Sequence, residues 1–326
     1  MKKKIFIITV ISFILIACIP VGASAESEQV YTVYDKEGNY LFSRGTRIFV
    51  GDEYVSTDNK HYRLTDVSDK NHCIAEFTGT IEMPDITISD SRSNYTGVNG
   101  KSNNTICLYY THTDESYIKW DGAEAKNENA GILDIGKLLK KNMEKFGAKV
   151  VIDETPHMPH DSGAYRRSQR TAAALLKKYP PAAIFDIHRD GVPNAGEYYH
   201  QIDGKDVSKV RIVVGRANQN SDANKEFAYR IKAVADKAYP GLIKDIFIGK
   251  GSYNQELSAR SLIFEMGTHT ITKDLVEAST PYLSEVVCLT LFGGTIENSS
   301  VKGPANSAQT PSATPDNNPQ QSPAAT

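Results

Sequence analysis

Cysteine is scarce in this sequence, and its spacing forms no recognisable framework. The chain has 326 residues and four cysteines, Cys18, Cys73, Cys107 and Cys288. No C-x-x-C pair occurs, so a disulfide scaffold is not indicated. Cys107 and Cys288 lie within apolar runs, where a free cysteine is typically a small buried side chain. We therefore assign cysteine no catalytic role.

An excess of charge of either sign is also missing. Lys and Arg number 37 and Asp and Glu 39, which gives a formal net charge of -2. A protein that binds nucleic acid usually presents a basic face to the phosphates, and the sequence indicates none. Hydrophobic residues make up 40% of the chain, enough for a packed globular core. Nucleic acid is therefore not an expected partner.

The apolar segment near the N-terminus, residues 5–19, is shorter than the ~20 residues that an untilted membrane helix needs. Lysines at positions 2–4 precede it, and an A-x-A pattern at residues 23–25 follows it. This layout is typical of a secretory signal. We expect residues 1–25 to be a signal peptide or a membrane anchor, which places the rest of the chain outside the cytoplasm.

Three fates of this segment stay open. Cleavage after Ala25 is the leading interpretation. The segment alternatively stays uncleaved as a weak anchor. In the third case, residues 15–18 form a lipobox and Cys18 is lipidated.

The residues before and after the central region, residues 105–295, differ from it in composition. Residues 26–85 contain short aromatic and β-branched runs punctuated by Gly, Asn and Asp, which predicts a small β-rich module. The expected strands are residues 31–34, 40–42, 47–50, 61–64 and 73–77. Residues 86–104 are rich in Ser, Asn, Asp and Gly and are expected to be a linker. Residues 296–326, rich in Pro, Ser and Ala, are expected to be a disordered tail.

Residues 105–295 alternate between strand and helix patterns. Continuous apolar runs predict buried strands, and apolar residues at helical spacing predict helices. The expected strands are residues 106–110, 149–152, 182–187, 210–214 and 261–265. The expected helices are residues 132–146, 165–179, 224–239 and 275–292. This alternation predicts an α/β fold, a layered sheet flanked by helices and preceded by the small β module.

Polar residues stand at the ends of three of these strands, where open α/β sheets place their functional sites. His112 and Glu115 follow the first strand. His188 follows the third strand, and Glu265 ends the last. Two histidines and a carboxylate on different strand ends match a catalytic zinc site, which has three protein ligands and an open position for water. The pattern leaves a further carboxylate to act as a base.

Each of these residues also has a structural interpretation. His112 could form only a hydrogen bond at a strand end, and His188 could belong to a salt-bridge cluster. Glu265 follows an apolar run, and a carboxylate buried there without a partner is unfavourable, which favours a functional role. His157 and His160 lie in a Pro-rich segment and are expected to be solvent-exposed.

Six short motifs occur in order along this region. They are YTHTDESY at residues 110–117, FDIHRD at 185–190, VVG at 213–215, YPGL at 239–242, YNQEL at 253–257 and LIFEMG at 262–267. In sequence and order they resemble the stage II sporulation protein P family of zinc-dependent N-acetylmuramoyl-L-alanine amidases. The resemblance covers residues 105–292 and leaves the β module and the tail outside. It implies cleavage of peptidoglycan between N-acetylmuramic acid and L-alanine, at the membrane–wall interface during forespore engulfment.

The resemblance also implies a cofactor and roles for individual residues. Zn²⁺ is the expected cofactor, His112 and His188 are expected ligands, and Glu265 is the expected catalytic carboxylate. The family motif typically begins with His-Thr-His. This chain has Tyr110 at the first histidine position, so the ligand is placed on His112.

The third zinc ligand stays open between two glutamates. Glu115 fits the motif of the family itself and is favoured. Glu128 lies where the broader zinc amidases carry a ligand glutamate. Residues that could bind substrate are Arg189, Tyr253, Asn254 and Gln255.

Two other functions stay open at this point. A zinc endopeptidase would cut the stem peptides with the same metal and base. A non-catalytic cell-wall-binding protein would retain the fold with a decayed site. The expected partners are peptidoglycan and, by the resemblance, a sporulation partner protein or membrane complex at the cell-wall face.

Overall fold

The computed structural model describes residues 29–88, 103–161 and 163–296. The predicted signal segment with Cys18 lies outside the described residues, as do most of the predicted linker and nearly all of the predicted tail. The other three cysteines are buried, and Cys107 and Cys288 lie in the core as predicted.

Short antiparallel strands dominate the N-terminal part. They are β1 (Tyr31–Tyr34), β2 (Tyr40–Arg44), β3 (Glu53–Val55), β4 (Lys60–Asp66), β5 (Cys73–Thr80) and β6 (Ile86–Ile88). The strand expected at residues 47–50 is wrong, because this segment turns from β2 to β3 as an irregular loop. Ile48 is buried there with 1% exposure, so its apolar character reflects packing and not a strand.

The remaining residues alternate strands with helices, which confirms the predicted α/β class. The strands are β7 (Thr105–Tyr109), β8 (Lys149–Ile152), β9 (Ala183–Asp190), β10 (Tyr199–Ile202), β11 (Lys205–Ser208), β12 (Val210–Gly215), β13 (Ile243–Gly249), β14 (Ser261–Thr268) and β15 (Gly294–Ile296). The helices are α1 (Ile118–Asp121), α2 (Gly131–Lys145), α3 (Ala164–Lys178), α4 (Ser221–Ala238) and α5 (Lys273–Cys288).

The sequence analysis missed β13 and the β10–β11 hairpin. The hairpin turns at Asp203 and Gly204, both with positive φ. An Asp-Gly pair between two short strands is a strong hairpin signal, so this element could have been predicted.

One mixed sheet of eleven strands runs through both parts of the chain. Its order is β2-β1-β5-β4-β3-β13-β12-β14-β9-β7-β8. The two parts join where β3 pairs antiparallel with β13, with Tyr54 opposite Phe247. A second link pairs β6 with β15. The sheet is therefore continuous across the boundary expected between a separate β module and an α/β domain.

Alternation along the central strands divides the sheet into two faces. On one face, Phe185 and Phe264 stack at 4.7 Å and belong to the main core beneath α2, α4 and α5. On the other face, Val213, Phe247 and Ile263 form a second core with residues of the N-terminal strands. Helix α3 covers this second face at β7 and β9.

The N-terminal strands curl back over the second face. Phe42 of β2 stacks on Tyr54 of β3 at 4.3 Å and meets Phe247 of β13 at 6.0 Å. Four strands separate β2 from β13 in the sheet order, so only a folded-over sheet brings these rings together. This cover lies beside the polar residues described below.

Helix α5 and the π-helical turn after it span residues Lys273–Gly293, which are long and apolar enough to cross a membrane by length and composition. In the fold this helix contacts α2 and α4, and Leu283 and Val287 are fully buried. Its apolar character is accounted for by its place in the main core.

Candidate metal centre

Three segments that are far apart in sequence meet on the second face of the sheet. His112 and Glu115 lie in the loop after β7. His188 on β9 pairs in register with Glu265 on the parallel strand β14. Both strands extend beyond the bounds predicted for them, so His188 lies within β9 and not after it, and Glu265 lies within β14 and not at its end. Their side chains stand on the face of the sheet, near its carboxyl edge.

Glu115 joins the two histidines. Its Oε1 atom lies 3.2 Å from His112 Nδ1 and 3.1 Å from His188 Nδ1. Its Oε2 atom accepts a hydrogen bond from the backbone N–H of Arg189 at 2.7 Å. Burial opposes ionisation of this carboxylate, but His188 and His112 hold the pKa of Glu115 well below its usual range. The charged carboxylate and two imidazole nitrogens thus converge on one point.

A third histidine lies against this cluster. The His160 ring stacks on the His112 ring at 3.7 Å. Ligand atoms of His112, Glu115 and His160 all lie within 4.8 Å of one another, as metal ligands do. His160 is solvent-exposed as predicted, with 37% of its side chain exposed, and it nevertheless lies within this cluster of possible metal donors.

His157 contradicts the prediction that it is solvent-exposed. It is buried with 5% exposure, because Nδ1 bonds to the carbonyl of Tyr110 at 2.8 Å and Nε2 to Thr171 at 2.9 Å. Both ring nitrogens are used, so His157 anchors the Pro-rich loop. The close spacing of His157 and His160 in the sequence was the signal that could have pointed to His160 as a residue of the site.

The donor set fits zinc, which prefers imidazole nitrogen and carboxylate oxygen. Asp186 Oδ1 lies 3.1 Å from His188 Nε2, on the ring nitrogen opposite Glu115, although not at a hydrogen-bonding angle. An oxygen of the Asp114 carboxylate lies 3.0 Å from His160 Nδ1 and accepts a hydrogen bond when that nitrogen carries the proton. A carboxylate on the second nitrogen of a ligating histidine is the usual way to fix its orientation. Burial lowers the pKa of His112, which favours the neutral, ligating imidazole.

Glu265 lies at the edge of this cluster with an unused carboxylate oxygen. The residue is 6% exposed, and Oε2 has no hydrogen-bond partner among the described residues. Burial and the nearby Asp190 raise the pKa of Glu265 to about 7. A carboxyl group poised near neutral pH in a buried polar site is suited to accept and return a proton.

The structure separates the two glutamates considered as third ligand. Glu115 is buried with 4% exposure at the centre of the cluster. Glu128 is exposed on the loop before α2 and does not belong to the donor cluster of the described residues. The geometry therefore favours Glu115.

Tyr110 points away from the site. Its ring is fully buried in the main core, and Oη donates to the carbonyl of Leu133 on α2 at 3.4 Å. A histidine at this position would face the same helix, so the loss of the first histidine of the motif leaves the donor cluster intact.

Comparison with known proteins places this site in a family. The sequence model described as Stage II sporulation protein P (SpoIIP) matches residues 48–288. The chain belongs to the stage II sporulation protein P family. The match begins well before residue 105, so the expectation that the β-rich segment lies outside the family resemblance is wrong for β3, β4 and β5.

One relative in this family is Stage II sporulation protein P of Bacillus subtilis (strain 168). It is 28% identical over 181 residues, which cover 50% of this chain and 45% of that protein. The aligned region therefore spans less than half of the relative.

Three solved structures are similar to parts of the chain. They are N-acetylmuramoyl-L-alanine amidase AmiC2 of Nostoc punctiforme (14% identical, TM-score 0.38, 59% of this chain and 97% of that chain), an N-acetylmuramoyl-L-alanine amidase from Clostridium difficile 630 (14%, 0.39, 58% and 95%) and the amidase Ami1 from Mycobacterium smegmatis (12%, 0.37, 58% and 99%). At these identities and TM-scores the likeness supports no argument about function.

Of the residues expected to bind substrate in this SpoIIP-family chain, two are engaged in structural contacts. Arg189 directs its guanidinium at backbone carbonyls of the loop before α2, including Glu124 at 2.8 Å. Gln255 is fully buried and bonds to Val213 and Gly215 of β12. Both hold loops in place.

Asn254 and Tyr253 lie nearer to the donor cluster. Asn254 donates to Ser168 at 2.9 Å and is 5% exposed. The Tyr253 ring lies 5.3 Å from that of Tyr165, which in turn stacks near His188 at 6.3 Å. Tyr165 forms an aromatic wall of the site that sequence analysis missed, because an aromatic residue at the start of a helix carries no special signal.

Proposed function

We propose that this chain is an extracytoplasmic peptidoglycan hydrolase, a zinc-dependent N-acetylmuramoyl-L-alanine amidase that acts in sporulation. The observation that carries the proposal is the convergence of His112, Glu115 and His188 beside Glu265, whose buried Oε2 atom has no hydrogen-bond partner in the part of the chain that the structure describes. Membership of the SpoIIP family supports the sporulation role.

Different residues of this chain would have different roles in the reaction. His112, Glu115 and His188 would hold zinc, and His160 is a further candidate ligand. When bound, zinc supplies Lewis-acid chemistry that polarises the scissile carbonyl and makes water a better nucleophile. Glu265 would take a proton from the attacking water and pass it to the departing L-alanine nitrogen. Asp186 and Asp114 would keep the histidine rings oriented.

The test is digestion of purified peptidoglycan by residues 26–326, with and without a chelator, and with Glu265→Gln as the control. We expect free stem peptides that begin at L-alanine, lost in the chelator and in the variant, as read by mass spectrometry. Shortened peptides still attached to glycan would replace the amidase by a zinc endopeptidase. No product from folded, zinc-loaded protein would refute an enzyme that acts alone and favour a wall-binding protein.

A further inference from the structure

Strand β2 carries an arginine into the site from outside the residues that match the family. Arg44 is 4% exposed, and its Nη2 atom lies 3.8 Å from Glu265 Oε1. The family match begins at residue 48, so this arginine belongs to the N-terminal cover of the site and not to its shared core.

The backbone on both sides of Arg44 is fixed to the central sheet. Ser43 donates its N–H to Glu197 at 3.3 Å, and its carbonyl accepts from Arg211 at 3.1 Å. Gly45 donates to Asp190 at 3.2 Å. A Cβ at Gly45 would lie 2.3 Å from the backbone of Gly191, so only glycine allows this approach. Arg44 is therefore held in place by its neighbours, independently of any bond made by its own side chain.

The guanidinium of Arg44 lacks the hydrogen bonds that a buried arginine normally makes. Its Nε and Nη1 atoms have no partner among the described residues, and 3.8 Å to Glu265 is too long for a hydrogen bond. The face of the guanidinium stacks on the Phe247 ring at 4.3 Å, and this contact supplies no hydrogen-bond acceptor to the N–H groups at its edge. The Glu265 carboxylate balances the charge of Arg44 at ion-pair distance, but the buried Nε and Nη1 donors stay unsatisfied among the described residues, which is unfavourable unless a ligand accepts from them.

Arg211, on the same face of the sheet, shows how this fold satisfies a structural arginine. It is fully buried and bonds to Asp245 at 2.6 and 3.0 Å and to Asp190 at 2.6 Å. Arg44 lies beside this network but forms no hydrogen bond to it or to any other of the described residues through Nε or Nη1. The contrast indicates that Arg44 is paired by a group that arrives with the substrate.

We propose that Arg44 is a substrate-binding residue that pairs with a carboxylate of the stem peptide. This inference rests on the proposed function, because stem peptides carry free carboxylates close to the bond that the amidase would cut. The planar edge of a guanidinium matches a carboxylate, to which it can donate two parallel hydrogen bonds. Arg44 also adds positive charge beside the carboxylates of Glu115, Asp186 and Glu265, which favours binding of an anionic group there.

The test compares two probes, a muramoyl dipeptide with a free glutamate α-carboxylate and the same molecule with a carboxamide there. Binding to the zinc-loaded Glu265→Gln protein is measured by calorimetry, and KM and kcat are measured on the otherwise native enzyme. In Arg44→Gln we expect the affinity for the free acid to fall on the order of tenfold to a hundredfold, with the amide little changed. Arg44→Lys should recover part of the lost affinity, because lysine keeps the positive charge but cannot donate two parallel hydrogen bonds to one carboxylate.

Arg47→Gln is the matched control, since Arg47 lies three residues on, is exposed and stacks on Phe49 at 5.1 Å. It should bind both probes like the parent. Equal losses for acid and amide in Arg44→Gln, or a fall in kcat alone, would overturn the inference and leave Arg44 a structural residue. If the parent protein binds and cleaves neither probe, the proposed function fails, and the inference fails with it.

Discussion

At the scale of single residues, Glu115 is the centre of the site. One of its oxygens faces two histidine nitrogens, and the other is held by the backbone of the strand that carries His188. These contacts fix the position of the Glu115 carboxylate without any bound ion.

Metal content distinguishes the two glutamates considered as ligands. We expect Glu115→Ala to lose zinc on dialysis, because it removes both a donor and the contact that aligns His112 and His188. Glu128→Ala should keep zinc, because Glu128 is exposed and outside the cluster. Elemental analysis of both dialysed variants, with circular dichroism to verify folding, measures the difference. Loss of zinc in Glu128→Ala alone would reverse the assignment.

Glu265→Gln separates metal binding from proton transfer. The amide has nearly the same shape but cannot accept the proton of water. We expect zinc content to stay at the parent level and turnover of peptidoglycan to fall by about 10²- to 10⁴-fold, the usual contribution of a general base. Turnover near the parent rate in this variant would remove Glu265 from the mechanism.

At the scale of elements, the loop after β7 is positioned where its first residue, Tyr110, packs against α2. A Cβ on Gly136 of α2 would lie 1.8 Å from Tyr110 Oη. Tyr110 immediately precedes the segment that carries His112 and Glu115. The glycine thus lets the helix approach the strand closely enough for Tyr110 to fill the core.

Gly136→Ala should destabilise the protein by about 1–3 kcal/mol through overpacking. The measurement is chemical denaturation. Tyr110→Phe removes the nearest atom, so the double variant should lose less stability than the sum of the two single changes. Gly196→Ala is the control, since its nearest neighbour is the movable side chain of Asn194 at 3.1 Å. Strict additivity in the double variant would contradict the proposed contact.

The β3–β4 hairpin carries an ion pair that links its stability to pH. Burial opposes ionisation of Glu53, but contacts to His61 at 3.1 Å and Arg63 at 2.9 Å bring the pKa of Glu53 down to about 2. Since the pKa of the folded state is below the unfolded value of 4.5, this stabilisation is complete above pH 4.5. It is lost as the pH falls from there toward 2.

Glu53→Gln should therefore be less stable than the parent at pH 7, with the difference shrinking as the pH falls below 4.5. Urea denaturation from pH 7 down to pH 3 tests this. Glu76→Gln is the control, because Glu76 pairs with Lys36 on the exposed surface and should contribute little at any pH. A difference for Glu53→Gln that does not change with pH would contradict the ionic origin.

At the scale of the whole molecule, the N-terminal strands are part of the same sheet as the candidate site. They extend the central sheet through β3 and β13, cover its second face, and bring Arg44 beside Glu265. Most members of the second core come from residues before 85, with Val213, Phe247 and Ile263 as the partners across the interface.

Removal of the N-terminal strands should therefore disrupt the fold and not trim a separate module. A chain that begins at residue 86 would expose the second core and leave β13 as an open sheet edge, which promotes aggregation. We expect it to lack a cooperative thermal transition and to bind zinc poorly, as measured by calorimetry and metal analysis. A soluble protein that unfolds cooperatively and holds zinc would contradict this dependence.

Local patterns were enough to find most elements and to nominate the candidate site residues. Apolar runs marked β7, β9, β12 and β14, and helical spacing marked α2 through α5. The true end of β9 was missed, because His188 and Asp190 are polar residues within the strand. Such residues are tolerated there because partners distant in sequence, such as Arg211, pair with Asp190.

The sequence alone determined the α/β class, because periodicity and apolar runs are local properties of the chain. The residue types and motif order alone pointed to His112, Glu115, His188 and Glu265. Only the tertiary structure showed that Glu115 is buried among the histidines while Glu128 is exposed, brought His160 against His112, and placed Arg44 beside Glu265. Those results depend on how a curled sheet superposes segments distant in the chain, and no local pattern encodes that distance.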